Sequence, residues 1–219
     1  MPTTRKTQGF TLVEIAIVLV IIGLLLGGIL KGQEMINQAK IKNVIADFSG
    51  VSAAYHGYQD RYRAIPGDDP NAATRWAAAP AAVPGTGNGV LGGAYNAAAD
   101  VAGDAGESRR WWDHLRRAGF VSGAGTQQPF NAVTGMIGVQ TGDAAAGTAM
   151  GGISGLMMCS ANLPDKIAIA VDTQMDDGVP ASGTVRGKSQ TAPNPALDNT
   201  TDATYAETGT NIYVLCRAM

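Results

Sequence analysis

The side chains that could do chemistry are few, and they do not converge on a catalytic set. The two histidines, His56 and His114, have no cysteine and no second histidine near them in the sequence. No Gly-x-Ser-x-Gly, Walker or His-Glu-x-x-His motif supplies an activated serine, a phosphate-binding loop or a zinc pair. We therefore predict that the protein is not an enzyme.

Acidic residues offer oxygen ligands for a cation at two places. Asp172, Asp176 and Asp177 form one cluster, and Asp68 and Asp69 form a second acidic pair. We predict no cofactor, with calcium as the possible exception, because calcium binds several oxygens supplied by a flexible loop. The alternative is that these acids are solvated turn residues or helix caps.

Two cysteines, Cys159 and Cys216, have three possible states: a disulfide, two free thiols or half of a metal site. Metal binding is disfavoured because neither has a cysteine or histidine at ligand spacing. A disulfide is expected if the domain is exported, since oxidising compartments preserve such bonds. It would tie the C-terminus to the body of the domain and, by the chain-entropy model, stabilise the fold by about 4 kcal/mol.

The N-terminus combines a basic leader with a long apolar segment. Met1–Gly9 contains Arg5 and Lys6 and no acid, and Phe10–Leu30 reads FTLVEIAIVLVIIGLLLGGIL. At about 1.5 Å per residue this segment spans about 30 Å, one hydrocarbon core. No Ala-x-Ala site follows it, so we expect it to be retained. The positive charge before it keeps the leader cytoplasmic and places both cysteines on the far side.

Glu14 interrupts this apolar segment. A carboxylate inside a bilayer is costly, so intramembrane acids are candidates for function. Glu14 lies about one helical turn from Phe10, where a tolerated acid near the membrane interface is one interpretation. The other is that it meets a cation. Cleavage after Gly9 would create one, the new α-amino group of Phe10.

Residues 9–14, Gly-Phe-Thr-Leu-Val-Glu, resemble the prepilin motif of type IV pilins and type II secretion pseudopilins. The resemblance implies that a membrane-embedded peptidase cuts between Gly9 and Phe10 and that Phe10 is then methylated. It implies that Glu14 pairs with the N-terminal amine of a neighbouring subunit during assembly. It also implies an α+β fold, in which a long helix, transmembrane in its first half, packs on a small antiparallel sheet with long loops.

The same resemblance implies a structural subunit of a type IV pilus or a type II secretion pseudopilus. Its partners would be other pilin subunits, the prepilin peptidase and methyltransferase, the inner-membrane assembly machinery and, before assembly, membrane lipid. The formal net charge of −2 gives no basic field for nucleic acid. The chain would start as a single-pass inner-membrane protein with a periplasmic C-terminus. It would end in an extracellular pilus or a periplasmic pseudopilus.

The alternative function is a minor tip subunit that acts as an adhesin or ligand-binding module. Loops rich in glycine and alanine, and a surface position for Trp112, would allow this role. The adjacent Trp111 and Trp112 are interpreted as one core residue and one partly covered surface residue, in preference to a sugar-binding platform.

Helical periodicity continues beyond the apolar segment. Apolar and aromatic residues recur at steps of three and four, at Ile41, Val44, Phe48, Val51, Tyr55, Tyr58 and Tyr62. The spacing predicts one helix over about residues 11–63, ended by Pro66-Gly67. The predicted domains are a leader at 1–9, a transmembrane and filament-core helix at 10–30, the amphipathic half of that helix at 31–64, and a globular domain at 65–219.

Within the globular domain, residues 77–106 are rich in alanine, glycine and proline, which predicts a mobile loop. A short helix is expected over 107–118, with Trp111, Leu115 and Phe120 as packing residues. Strands are expected over 134–140, 154–159 and 211–217. The apolar residues of 165–177 fit either a strand or a helix, and the flanking Pro164 and Gly178 favour the helix.

Overall fold

A computed structural model describes residues 11–143 and 145–219 of the chain. Its elements, in order, are α1 (Leu12–Tyr62), α2 (Ala72–Arg75), a 3₁₀ turn (Asp104–Gly106), α3 (Glu107–Arg117), β1 (Ile137–Gly142), β2 (Gly155–Pro164), α4 (Asp165–Met175), β3 (Val185–Ser189) and β4 (Ile212–Ala218). They form an α+β fold with one long N-terminal helix and a four-stranded antiparallel sheet, which confirms the predicted fold class.

The chain divides into two compact units, Met1–Ala39 and Lys40–Met219. This division falls inside the amphipathic half predicted for residues 31–64, and the other domain boundaries stay predictions. Within the described part of the first unit, α1 is the one helix long and apolar enough to cross a membrane.

The second unit is built around the sheet, whose strand order is β1-β2-β4-β3. One face of the sheet shares a core with the second half of α1, which buries Ile41, Val44, Phe48, Val51, Ala54, Tyr55 and Tyr58. Six of the seven residues of the predicted stripe are therefore buried, Ala54 joins them, and Tyr62 is only half-buried. Because successive side chains of a strand point to opposite faces, Tyr213 and Leu215 of β4 both lie in this core.

The opposite face of the sheet is covered by loops rather than helices. Val214 and Cys216 of β4 point to this side and pack with Tyr95, Met150 and Leu197 from three different loops. Residues 77–103 have no helix or strand, as predicted. The loop is nevertheless attached to the body of the domain, because it contributes Tyr95 to this second core and Leu91 to the first.

Two of the short helices agree with the sequence-based expectations, whereas α2 and the 3₁₀ turn inside the predicted loop were not predicted, and two side chains differ from expectation. α3 and α4 lie where a helix was predicted, and Gly119 follows α3 with φ of +82°. Trp112 is fully buried, so its predicted place on a partly covered surface is wrong. Phe120 is 37 % exposed and rests its ring edge against Gly57 of α1. β3 was not predicted at all.

Candidate functional site

The N-terminal end of α1 is closed by Thr11 and Glu14. The Thr11 N–H and Oγ1 both donate to Glu14 Oε2, at 2.7 and 2.8 Å, and the Glu14 N–H donates back to Thr11 Oγ1 at 3.3 Å. This reciprocal pattern is a capping box, which satisfies backbone donors at a helix start. The Thr-x-x-Glu spacing was visible in the sequence and signals this role. Gly9 and Phe10, the predicted cleavage site, lie outside the described residues.

The cap leaves part of the Glu14 carboxylate open. Both donors from Thr11 reach Oε2, and Oε1 takes part in neither bond. Glu14 is exposed, as are the apolar side chains that follow it along α1. The large exposed ones are Leu12, Val13, Ile15, Ile17, Val18, Leu19, Val20, Ile21, Ile22, Leu24, Leu25, Leu26, Ile29 and Leu30. The first unit therefore presents an uncovered apolar surface with one acid at its end.

Asp68 and Asp69 do not form a cation site. Asp68 is buried and accepts bonds from Thr86 Oγ1 and from the N–H groups of residues 87, 88 and 89, at 2.5–3.1 Å. Glu107, also buried, accepts from Thr86 N–H at 2.8 Å and from Gly92 N–H at 3.0 Å, and it shares the Thr86 hydroxyl proton with Asp68. These two carboxylates fasten residues 86–92 to the body of the domain, so neither the cation interpretation nor that of a solvated turn holds for Asp68.

Asp69 lies in a polar cluster beneath the end of α1. It is fully buried and accepts from Tyr58 Oη at 2.7 Å, Arg75 Nη1 at 2.5 Å and Asn71 N–H at 2.8 Å. Burial alone would raise the pKa of Asp69, but the bonds from Arg75, Tyr58 and Asn71 outweigh it and lower the pKa. Burial, together with the Asp69 charge, raises the pKa of Tyr58. We therefore assign Asp68 and Asp69 a structural role and not a metal-binding one.

The structure brings Asp172, Asp176 and Asp177 together at the end of α4. One carboxylate oxygen of each lies within 4.8 Å of the other two. Asp172 is fully buried, whereas Asp177 is exposed. Burial raises the pKa of Asp172, the Asp177 and Asp176 charges add to the increase, and Tyr205 and the Gly178 amide oppose it. Hydrogen bonds from Ser182 and Val179 lower the pKa of Asp177.

Cys159 and Cys216 face each other on the adjacent strands β2 and β4 and are joined by a disulfide. Both are fully buried in the second core. The bond therefore fixes the C-terminal strand to the middle of the sheet.

Within the described ranges, neither histidine is part of a catalytic arrangement. His56 is exposed on α1. His114 is fully buried; its Nδ1 accepts from Gly67 N–H and its Nε2 lies 2.9 Å from the Val83 carbonyl oxygen. Accepting at Nδ1 and donating at Nε2 requires the neutral ring. Burial lowers the pKa of His114, which keeps the ring neutral.

The burial of Trp112 removes the aromatic surface residue that the adhesin alternative relied on. One open cleft, of about 460 Å³, lies between loop residues 90–94 and the end of β1 and includes Gln140, Thr141 and Leu197. Its side chains are mostly small or apolar, and no feature of the cleft specifies a ligand.

Comparison with known families identifies the N-terminal segment. Residues 4–30 match the model of the prokaryotic N-terminal methylation motif, the hallmark of type IV pilins and pseudopilins. The match covers most of the predicted leader, the predicted cleavage position and the apolar segment, and ends before the globular unit. No curated protein matches the chain.

Proposed function

We propose that this protein is a structural subunit of a type IV pilus or a type II secretion pseudopilus, made as a precursor and cut between Gly9 and Phe10. The observation that carries the proposal is the uncovered apolar surface of α1 headed by Glu14, within a segment that matches the methylation motif. Before assembly, this surface is covered by the inner membrane. After assembly, neighbouring subunits cover it.

Glu14 favours the association of this helix with a neighbouring subunit over contact with lipid. Apolar helices gain no hydrophobic driving force by associating within a membrane, since lipid tails are as apolar as leucine. A carboxylate there is stabilised by a cation, and a buried charge left unpaired is strongly destabilising. The α-amino group of a neighbour's Phe10 is such a cation once the leader is removed. Oε1 of Glu14 can accept it while Oε2 keeps the cap with Thr11.

The remaining predictions follow from this role. The partners are other pilin subunits, the prepilin peptidase and methyltransferase, and the inner-membrane assembly machinery. The arginine and lysine of the leader favour a cytoplasmic N-terminus and a translocated globular unit. The disulfide fits an oxidising compartment on that side. The proposed role needs no catalytic group.

The first test is N-terminal sequencing and intact mass of purified mature protein. We expect the chain to begin at Phe10 with one added methyl group. An assembled chain that keeps Met1, or that begins elsewhere, contradicts the proposal. Antibody labelling along the whole filament would indicate a bulk subunit, and labelling at one end would indicate the tip-subunit alternative.

The second test separates the two roles of Glu14. Glu14→Gln keeps a capping side chain, because glutamine also serves in a capping box, but it loses the charge. Glu14→Ala loses both. We expect both variants to insert and to be processed, and both to assemble poorly, while Glu34→Ala, an exposed acid beyond the apolar segment, assembles normally. If Glu14→Gln forms normal filaments, the charge is not needed and the pairing role is wrong.

A further inference from the structure

The C-terminal end of α4 concentrates negative charge, which the Arg186 charge near Asp177 offsets only in part. Asp172 lies in the last turn, Asp176 caps the helix and Asp177 follows it. The last turn of α4 contains no basic residue. The C-terminal end of a helix already carries a partial negative charge, which favours cations and disfavours carboxylates. A further positive charge at this position would therefore stabilise the three acids.

Asp172 differs from the buried Asp68, Asp69 and Asp165 in its hydrogen bonds. Its Oδ2 accepts from Tyr205 Oη at 2.6 Å, whereas its Oδ1 is buried and has no hydrogen-bond partner among the described residues. The Gly178 amide is close enough to lower the pKa of this carboxyl group. Both oxygens are bonded in Asp68, Asp69 and Asp165. A buried carboxylate oxygen without a partner carries the full cost of its lost hydration.

The other two acids are held in place by their neighbours. Asp176 Oδ2 accepts from the N–H groups of Thr184 and Val185, at the beginning of β3. Asp177 accepts from Val179 N–H at 2.9 Å and from Ser182 Oγ at 2.5 Å. A ligand between these carboxylates would therefore meet oxygens whose positions are already fixed.

We propose that the α4 acidic cluster, Asp172, Asp176 and Asp177, binds one divalent cation of the hard, oxygen-preferring kind, with calcium as the best fit. Calcium–oxygen distances of about 2.3–2.6 Å allow two ligands of one ion to lie up to about 5 Å apart. The three oxygens, within 4.8 Å of one another, meet this limit. Magnesium is the poorer fit because it requires about 2.0–2.1 Å and near-ideal octahedral geometry.

A cation at this cluster would have two stabilising effects. It would give the buried Oδ1 of Asp172 a partner, and it would neutralise the charge at the end of α4. Through Asp176 it would also link the end of this helix to the beginning of β3. Among the described residues, three carboxylates form this cluster, and water or backbone oxygens would fill the remaining positions around the ion. We therefore expect a dissociation constant of about 10⁻⁴–10⁻³ M, as in extracellular modules. The site is independent of the proposed filament role.

The test is thermal unfolding of the full chain in detergent micelles, freed of metal with a chelator and titrated with calcium chloride. Near 10 mM calcium, we expect a saturable rise in Tm of about 3–10 °C. Magnesium chloride at the same concentration should give a smaller rise. The rise should disappear in Asp172→Asn and persist in Asp60→Asn, which removes the same charge from an exposed position on α1.

Comparing each variant with and without calcium cancels any loss of stability caused by the substitution itself. If Asp172→Asn does not fold, Asp177→Asn replaces it, because Asp177 is exposed and bonded only to its own turn and Ser182. The absence of a calcium-dependent shift in the unaltered chain would overturn the proposal. So would a shift that survives in the folded cluster variants, since calcium would then bind elsewhere.

Discussion

The disulfide between Cys159 and Cys216 should account for a large share of the stability of the globular unit. The cysteines are 57 residues apart in the sequence. In the chain-entropy model, closing a loop of that length removes about 14 cal/mol/K from the unfolded state, or about 4 kcal/mol at 25 °C. A domain of ordinary stability has about 5–15 kcal/mol in total. Without the bond, the domain should therefore be only marginally stable.

The assay is urea unfolding of the full chain in micelles, followed by tryptophan fluorescence, because Trp111 and Trp112 are fully buried in the globular unit. With an m-value of about 2 kcal/mol/M, a loss of about 4 kcal/mol lowers the midpoint by about 2 M urea. Two samples measure this loss: the unaltered chain under reducing conditions, and the double variant Cys159→Ala, Cys216→Ala under oxidising conditions.

The reduced chain is the cleaner sample, because it keeps both sulfur atoms and changes only the cross-link. The double variant also loses buried volume, so its midpoint should be slightly lower still. It should not respond to reductant, which checks that the reductant acts through this bond. A difference of less than about 1 kcal/mol between the oxidised and reduced chains would refute the entropic reasoning.

Two further predictions concern the exit from α1. Protonation of His114 disrupts the hydrogen bond that it accepts from Gly67, so its contribution to stability should be fully present above about pH 6.5. Below that pH the free energy of unfolding should fall by up to about 1.4 kcal/mol per pH unit, until the lowered pKa of the folded state is reached. Urea midpoints between pH 7 and 5 should show this slope, and His114→Gln should flatten it. Gly67→Ala should cost several kcal/mol in the free energy of unfolding, whereas Gly119→Ala should cost about 1–2 kcal/mol. Both glycines have φ above +80°, but a Cβ at Gly67 would clash with the backbone oxygen of Glu107, and a Cβ at Gly119 would meet no atom. Equal losses in paired urea titrations would contradict this explanation.

The long helix and its buried stripe were predictable because they depend on local pattern. Residues three and four apart lie on one face whatever the rest of the chain does, so the spacing from Ile41 to Tyr58 specified which side would be buried. Three strands were placed within a few residues for the same reason. β3 was missed because VRGKS is short, contains a glycine and has charged residues at alternate positions.

The environment of single side chains was less accessible. Trp112 is buried in the core that the second half of α1 shares with the sheet, and the spacing of residues within α3 does not reveal these contacts. Glu107 and Asp68 bind backbone N–H groups 15–21 residues away, and a backbone donor leaves no mark in the sequence. The predicted mobility of residues 77–106 rested on composition alone, and composition carries no information about these two carboxylates.

The two acidic groups show most clearly where sequence reasoning stops. Asp68 with Asp69, and Asp172 with its neighbours, are equally plausible ligand sets as strings of letters, because both combine adjacent carboxylates with turn residues. What separates them is whether the protein itself satisfies each oxygen. Tertiary contacts supply donors to both oxygens of Asp68 and of Asp69, and a cation would have to displace them. At Asp172 one buried oxygen is left without a donor, so a cation would add an interaction and displace none. Cation binding is therefore expected at the second group and not at the first.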